Sequence, residues 1–245
     1  MLEVLGVIPA RYKSSRFPGK PLAEILGKPM VIWVAEAASA ALGKEHVVIA
    51  TDDEQIHASS VRFGFQAIMT SDACQTGTDR VSEVAEKIDA GFYINIQGDE
   101  PLVDPRAIAK VHQSNRLYPG SIINCMSRIP PDEDPANRNL IKVVTAEDGR
   151  LMYMSRSVIP GGKTPSPQDE YYKQVCIYGF TREQLTAFSA LKRKSRVEAR
   201  EDIEILRFLD LGFSVQMLEV EGGFSYGVDE PGDISIVEQR LRARG

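Results

Sequence analysis

Short apolar runs alternate with helix-periodic stretches through the first half of the chain, and this alternation restricts the fold most. Residues 4–8, 47–50, 66–69 and 93–96 read as buried strands, and 30–42, 54–63 and 78–90 as helices. Gly64 closes the second helix, and Asp104-Pro105 opens a fourth, with Asp at the cap and Pro in the first turn. Residues 121–126 form a further strand. Strand and helix in strict turn predict an α/β fold, a mostly parallel sheet with helices on both faces.

The second half breaks that rhythm. Residues 129–139 carry three prolines and several acids and read as a loop. Residues 141–145 and 151–154 flank Glu147-Asp148-Gly149, which predicts a hairpin. Residues 158–168, with three prolines and two adjacent glycines, read as a flexible excursion, and 171–180 as a strand. Helices are expected over 181–190, 197–211 and 231–242, with a strand at 214–218. The expected whole is one domain over 1–245, with an antiparallel section at about 137–180 built onto it.

Between the first strand and first helix lies Ile8-Pro9-Ala10-Arg11-Tyr12-Lys13-Ser14-Ser15-Arg16-Phe17-Pro18-Gly19-Lys20-Pro21-Leu22, which holds four cations. Loops at the carboxyl ends of parallel strands are where open α/β sheets bind ligands. Guanidinium groups fork onto phosphate oxygens and a lysine adds a point charge, so this loop suits a polyphosphate. It is not a Walker A loop, because Pro21 follows Lys20 and no glycine precedes Gly19 within it. A plain solvated basic loop is the competing reading.

The formal charge of −5 argues against general nucleic-acid binding and makes the basic loop a local anion site. Cys74, Cys125 and Cys176 are far apart and odd in number, which favours a reducing compartment over a disulfide framework. No apolar run approaches membrane-spanning length and no signal peptide is visible, so a cytoplasmic protein with no membrane partner is expected.

Residues 8–22 resemble the signature of the sugar cytidylyltransferases, in particular the 3-deoxy-manno-octulosonate (Kdo) cytidylyltransferase family. The resemblance continues in order through Ala50-Thr51-Asp52-Asp53, Gly77-Thr78-Asp79-Arg80, Gln97-Gly98-Asp99-Glu100-Pro101, Tyr153-Met154-Ser155-Arg156, Ile177-Tyr178-Gly179 and Gly227-Val228-Asp229. It implies a sheet of the nucleotide-diphospho-sugar transferase type, with the antiparallel section covering the sugar site and making a homodimer contact. It also implies that CTP and a 2-keto-3-deoxy sugar acid, Kdo first, are joined with loss of pyrophosphate. Ala10, Arg11, Ser14, Arg16 and Lys20 would hold the triphosphate, with Arg11, Arg16, Lys20 and Asp99 carrying the chemistry and Lys20 meeting the α-phosphate. Thr76, Gly77 and Arg80 would line the cytosine and ribose, where the competing reading is an ordinary helix start capped by Thr76 or Thr78.

Asp99 follows a buried strand, so its carboxylate stands at the ligand edge of the sheet. Magnesium carried by a nucleoside triphosphate takes oxygen ligands, usually one or two carboxylates with phosphate and water. The resemblance adds Asp229 as a second ligand, against a competing reading as a helix cap. The sugar acid would meet Arg80 and Arg156 through its carboxylate, and Gln97, Gln174, Tyr178 and Glu204 through its hydroxyls. None of the histidines, His46, His57 and His112, falls in these motifs, so no histidine base is indicated.

Two positions depart from the family pattern. Gln174 stands where a histidine is expected, and Ile205 where a glutamine is expected. Both are read as sugar-facing, which leaves open a modified Kdo or another ulosonate or nonulosonate as acceptor. A non-catalytic nucleotide-binding regulator is the alternative outside enzymes, and the presence of Lys20, Asp99 and Asp229 counts against it.

Overall fold

The computed structural model describes residues 1–14, 16–163, 170–221 and 226–244. The strands are β1 (Leu5–Ala10), β2 (Glu24–Ile25), β3 (Lys28–Pro29), β4 (Val47–Thr51), β5 (Gln66–Met69), β6 (Tyr93–Ile96), β7 (Ile122–Arg128), β8 (Lys142–Thr145), β9 (Leu151–Ser155), β10 (Tyr172–Phe180) and β11 (Val215–Glu219). The helices are α1 (Met30–Leu42), α2 (Glu54–Arg62), α3 (Gly77–Lys87), α4 (Pro105–Leu117), α5 (Arg182–Ala190), α6 (Arg196–Glu201), α7 (Ile205–Asp210) and α8 (Asp233–Arg244).

The central sheet runs β11-β7-β10-β6-β1-β4-β5. β6, β1, β4 and β5 are mutually parallel, as is the β7–β11 pair. β10 joins the two groups and is antiparallel to both β6 and β7. Its first residues, Tyr172 and Lys173, also pair with β8, and β8 pairs with β9. One long strand thus carries the chain from the small antiparallel section into the heart of a mainly parallel sheet. Lys142 at the base of that section is fully buried and donates to the carbonyls of Asn137, Leu140 and Arg156 at 2.9, 2.7 and 2.7 Å.

Apolar side chains alternate between the sheet faces. Ile8, Ile49, Ile94 and Ile96 pack against Val31, Ala35 and Ala38 of α1 and Ile108 and Val111 of α4. Val7, Val48, Tyr93 and Phe180 pack on the other face against Val81 and Val84 of α3, Phe188 of α5 and Phe208 of α7. A smaller cluster of Ile25, Met30, Leu102, Val228 and Val237 fastens α8 beside the β2–β3 ribbon.

Two expectations change. The stretch 197–211 is not one helix: Asp202 adopts a left-handed backbone (φ 56°) and splits it into α6 and α7. A non-glycine residue there costs roughly 1 kcal/mol or more, and the break frees Ile203 and Glu204 to face the ligand edge. The excursion at 158–168 is only partly visible, and its residues 164–168 lie outside the described residues.

Candidate active site

Strands β1 and β6 run parallel and side by side, so Ala10 and Gln97 deliver their loops to one edge. Close approach there requires Gly98, because a Cβ on it would sit 2.8 Å from the Pro9 carbonyl oxygen. The basic loop folds back through a 3-10 turn at Lys20–Leu22, with Gly19 left-handed at φ 72°. That turn aims the Lys20 ammonium inward. Its Nζ donates to Asp99 Oδ2 at 2.6 Å and to the Val228 carbonyl at 2.8 Å, and lies 4.0 Å from Asp229 Oδ1. Arg16 reaches Asp229 Oδ1 at 2.9 Å. Asp233, the first residue of α8, accepts from the amides of Asp229 and Glu230 at 2.8 and 2.9 Å and so holds the loop that carries Asp229.

Two adjoining cavities share this centre. The first, about 420 Å³, is lined by Ala10, Arg11, Ser14, Arg16, Lys20, Thr76, Gly77, Arg80, Gln97 and Asp99. The second, about 770 Å³, is lined by Gln97, Asp99, Arg156, Gln174, Tyr178 and Glu204, together with Ser127, Lys173 and Cys176. Arg16, Gln97, Asp99, Asp202, Ile203, Glu204 and Asp229 border both. Every expected site residue except Ile205 therefore lies on one or other cavity.

Helix α3 presents its N-terminus to the first cavity. Thr76 caps it reciprocally with Asp79, so the ordinary helix-start reading and a place in the cavity are both true of Thr76. Glu204, at the break between α6 and α7, accepts from the amides of Gly77 and Thr78 at 3.1 and 2.9 Å. Burial pushes the Glu204 carboxyl above the usual glutamate range, and the amides of Thr78 and Gly77 pull against that shift. Both of its oxygens serve the helix end, a task the sequence reading did not give it.

Arg80 is buried on the first cavity only, where it donates to Asp52 Oδ2 at 3.2 Å and to the hydroxyl of Thr70. It stands apart from Arg156 and the second cavity. Arg156 donates to the carbonyls of Glu201, Arg138 and Asp202 at 2.7, 3.1 and 3.2 Å. Of the five guanidinium N–H groups, these bonds leave two for a ligand. Asp202 is held below the usual carboxylate range by Lys194, with Arg156 and Arg11 adding to the effect. Burial pushes the Tyr178 phenol well up, so it stands on the cavity wall as a neutral hydroxyl. Ile205 is buried in the apolar cluster beneath the sheet and lines neither cavity, so of the two departures only Gln174 lines a cavity. Cys74 and Cys176 are not simple core residues, since each lines a cavity, while Cys125 is core.

At the edge of the first cavity, which Glu198 lines, is a buried ion pair that the sequence reading missed. Arg207 Nε and Nη2 meet Glu198 Oε2 and Oε1, each at 2.6 Å, and Nη1 reaches Asp79 Oδ1 at 3.3 Å. The guanidinium lies 3.6 Å from the Phe188 ring centroid. An arginine set in the apolar run Ile205-Leu206-Arg207-Phe208-Leu209 was the available signal.

A family model described as Cytidylyltransferase matches residues 5–216. The chain is 39% identical to the 3-deoxy-manno-octulosonate cytidylyltransferase of Geotalea daltonii, covering 100% of both chains. It is 42% identical to the protein of that name from Acidobacterium capsulatum, over 99% of this chain and 98% of the relative. It is 37% identical to the mitochondrial one of Arabidopsis thaliana, over 99% and 84%. A solved structure of CMP:2-keto-3-deoxy-manno-octonic acid synthetase, complexed with CTP, superimposes with a TM-score of 0.91 at 37% identity, over 99% of this chain and 100% of that one.

Proposed function

The chain belongs to the cytidylyltransferase family, and on that premise we propose that it joins CTP to Kdo to give the CMP-sugar and pyrophosphate. The observation that carries the reading is the meeting of Lys20, Asp99 and Asp229, far apart in sequence, where two cavities adjoin. A nucleotide in the first cavity and a sugar acid in the second would place the α-phosphate against the attacking hydroxyl at that junction.

The anomeric hydroxyl attacks the α-phosphorus, the bond to the β-phosphate breaks, and the hydroxyl proton passes to solvent. The chain contributes position and charge. Lys20 lies against the α-phosphate and the departing pyrophosphate, while Arg11, Ser14 and Arg16 hold the remaining phosphates. Ala10 and the α3 start at Thr76 and Gly77, with Arg80 behind them, shape the nucleoside end. Gln97, Gln174, Tyr178, Arg156 and Glu204 line the sugar end.

Asp99 and Asp229 offer hard oxygen donors on either side of Lys20, a set that suits magnesium arriving with triphosphate oxygens. Among the described residues no group of three or more histidine, cysteine, aspartate or glutamate side chains is placed to hold a metal by itself. Bound by Asp99 and Asp229, magnesium would supply charge neutralisation and polarise the transferred phosphoryl group.

We further read the chain as a cytoplasmic homodimer joined through the β8–β9 hairpin. That reading is supported by the family resemblance and, for the dimer, by the exposed Met152 of β9 (61%). Sedimentation gives the test, a monomer at micromolar concentration being the adverse result. The activity is tested by pyrophosphate release from CTP and magnesium with Kdo, an 8-amino Kdo and neuraminic acid in parallel. Kdo is expected to turn over fastest. No release with any of the three would refute the assignment, and turnover with another acid alone would move the substrate while keeping the chemistry.

A further inference from the structure

Strand β10 does not run evenly along β7. Val175 pairs with Cys125 and Tyr178 with Asn124, so Cys176 and Ile177 bulge out of the ladder. A bulge leaves backbone groups without ladder partners, and buried groups of that kind must be satisfied elsewhere. The fully buried side chain of Asn124 does this: its Nδ2 donates to the Val175 and Ile177 carbonyls at 3.0 and 2.9 Å. Two carbonyls can only be met by an amide nitrogen, so the orientation of the Asn124 amide is forced by chemistry. Its Oδ1 then points at Gln174, which must answer with a donor, and Gln174 Nε2 does so at 2.9 Å.

The Gln174 amide is thereby oriented in turn. Its nitrogen is turned to Asn124, and its Oε1, which has no hydrogen-bond partner among the described residues, belongs to a side chain that lines the second cavity. Ser127 also borders this cavity and carries a buried hydroxyl with no partner among the described residues, although its register beside Lys173 sets it on the other face of the sheet from Gln174.

We infer that Asn124 is a positioning residue that fixes the Gln174 amide with its oxygen toward the sugar acid, so that Gln174 selects acceptors carrying a hydrogen-bond donor, a hydroxyl or an ammonium, at that point. This rests on reading the second cavity as the sugar-acid site. It also gives a chemical sense to glutamine at this position. A neutral imidazole that donates one N–H to Asn124 presents an acceptor on its other nitrogen, and Gln174 presents an acceptor without that group's titration.

The test is a double-mutant cycle, with KM for the sugar acid and for CTP measured at pH 8 and unfolding followed separately. Gln174→Leu is expected to raise KM for the sugar acid roughly tenfold, the loss of one buried hydrogen bond, and to leave KM for CTP unmoved. Asn124→Ala is expected to raise it several-fold in the wild-type background and not at all in the Gln174→Leu background, although its stability cost persists in both. Gln174→His, neutral at this pH, restores a KM within about threefold of wild type. Multiplying effects, equal shifts in KM for CTP, or an unchanged KM in Gln174→Leu would overturn the inference. Should Asn124→Ala fail to fold, the His–Leu comparison decides, a histidine variant as poor as leucine being adverse. If the wild-type protein releases no pyrophosphate with any keto sugar acid, the reading of the site fails and this inference falls with it. Wild-type turnover with silent Gln174 variants overturns the inference alone.

Discussion

Removing Glu198 should damage the protein more than removing Glu198 and Arg207 together. Both side chains are about 1% exposed, and the bidentate contact is 2.6 Å at each oxygen. Burial alone would lower the arginine's affinity for its proton, yet the bonds from Glu198 and the charge of Asp79 hold it up. In Glu198→Ala the guanidinium stays buried and charged, with Asp79 at 3.3 Å as its remaining carboxylate. Stranding one member of a buried pair costs about 3–5 kcal/mol. For a chain of this size that is a fall in Tm on the order of 10 °C. Because Arg207 also steadies Asp79, the partner of the Thr76 cap, KM for CTP should rise as well. Glu198→Leu with Arg207→Met removes both charges and fills the space, so it should unfold nearer to wild type than the single variant does. Urea and thermal unfolding of wild type, the two single variants (Glu198→Leu and Arg207→Met), Glu198→Ala and the double variant, with CTP kinetics, decide the matter. A single variant within about 1 kcal/mol of wild type, or a double variant whose loss is the sum of the two singles, would refute the reasoning.

Lys20→Ala should lower kcat by about two to three orders of magnitude, the range for losing one transition-state charge contact, with little change in KM for the sugar acid. A fall of less than tenfold would remove Lys20 from the reaction centre. Gly98→Ala brings a Cβ to 2.8 Å from the Pro9 carbonyl oxygen, backbone against backbone, and should cost about 1–3 kcal/mol while raising KM for both substrates; unfolding and kinetics indistinguishable from wild type would count against the strand approach. Glu204→Gln tests a linkage: burial raises the folded-state pKa of Glu204 above its unfolded value, so its proton adds stability that is full below the unfolded pKa and lost as pH rises through the folded one. Stability measured from pH 7 downward should therefore shift in favour of wild type over Glu204→Gln as pH passes through the region just above the ordinary glutamate range, and a gap that does not change with pH would refute it.

The alternation of apolar runs located the parallel strands and their helices because each is a local pattern with its own period. Met30–Leu42, Gln66–Met69 and Tyr93–Ile96 stand at the expected residues. The basic loop was equally visible, since four cations between strand and helix are a local anomaly. What resisted reading depends on partners distant in the chain. The split between α6 and α7 rests on the left-handed Asp202, and no periodicity announces a single backbone angle. Arg156 reads as a free clamp until the carbonyls of Glu201 and Asp202, brought over by that same break, take up its N–H groups. Ile205 reads as sugar-facing until the turn at Asp202 sends it into the core, and Glu204 beside it goes to the α3 N-terminus instead.

These differences share one cause. An unbroken helix over 197–211 would have to place Ile203, Glu204 and Ile205 on successive helical faces. The break allows Ile203 and Glu204 to line the cavities while Ile205 packs inward. Glu204 then lies where the two cavities meet, fastened to the helix end that borders the nucleotide side and exposed along the sugar side. A group that fills the sugar cavity and hydrogen-bonds Glu204 must compete with, or add to, the amides of Gly77 and Thr78. With the nucleotide and the sugar acid placed as proposed, Asp202, two residues before Glu204, would be the point at which the fit of one substrate is tied to the geometry offered to the other.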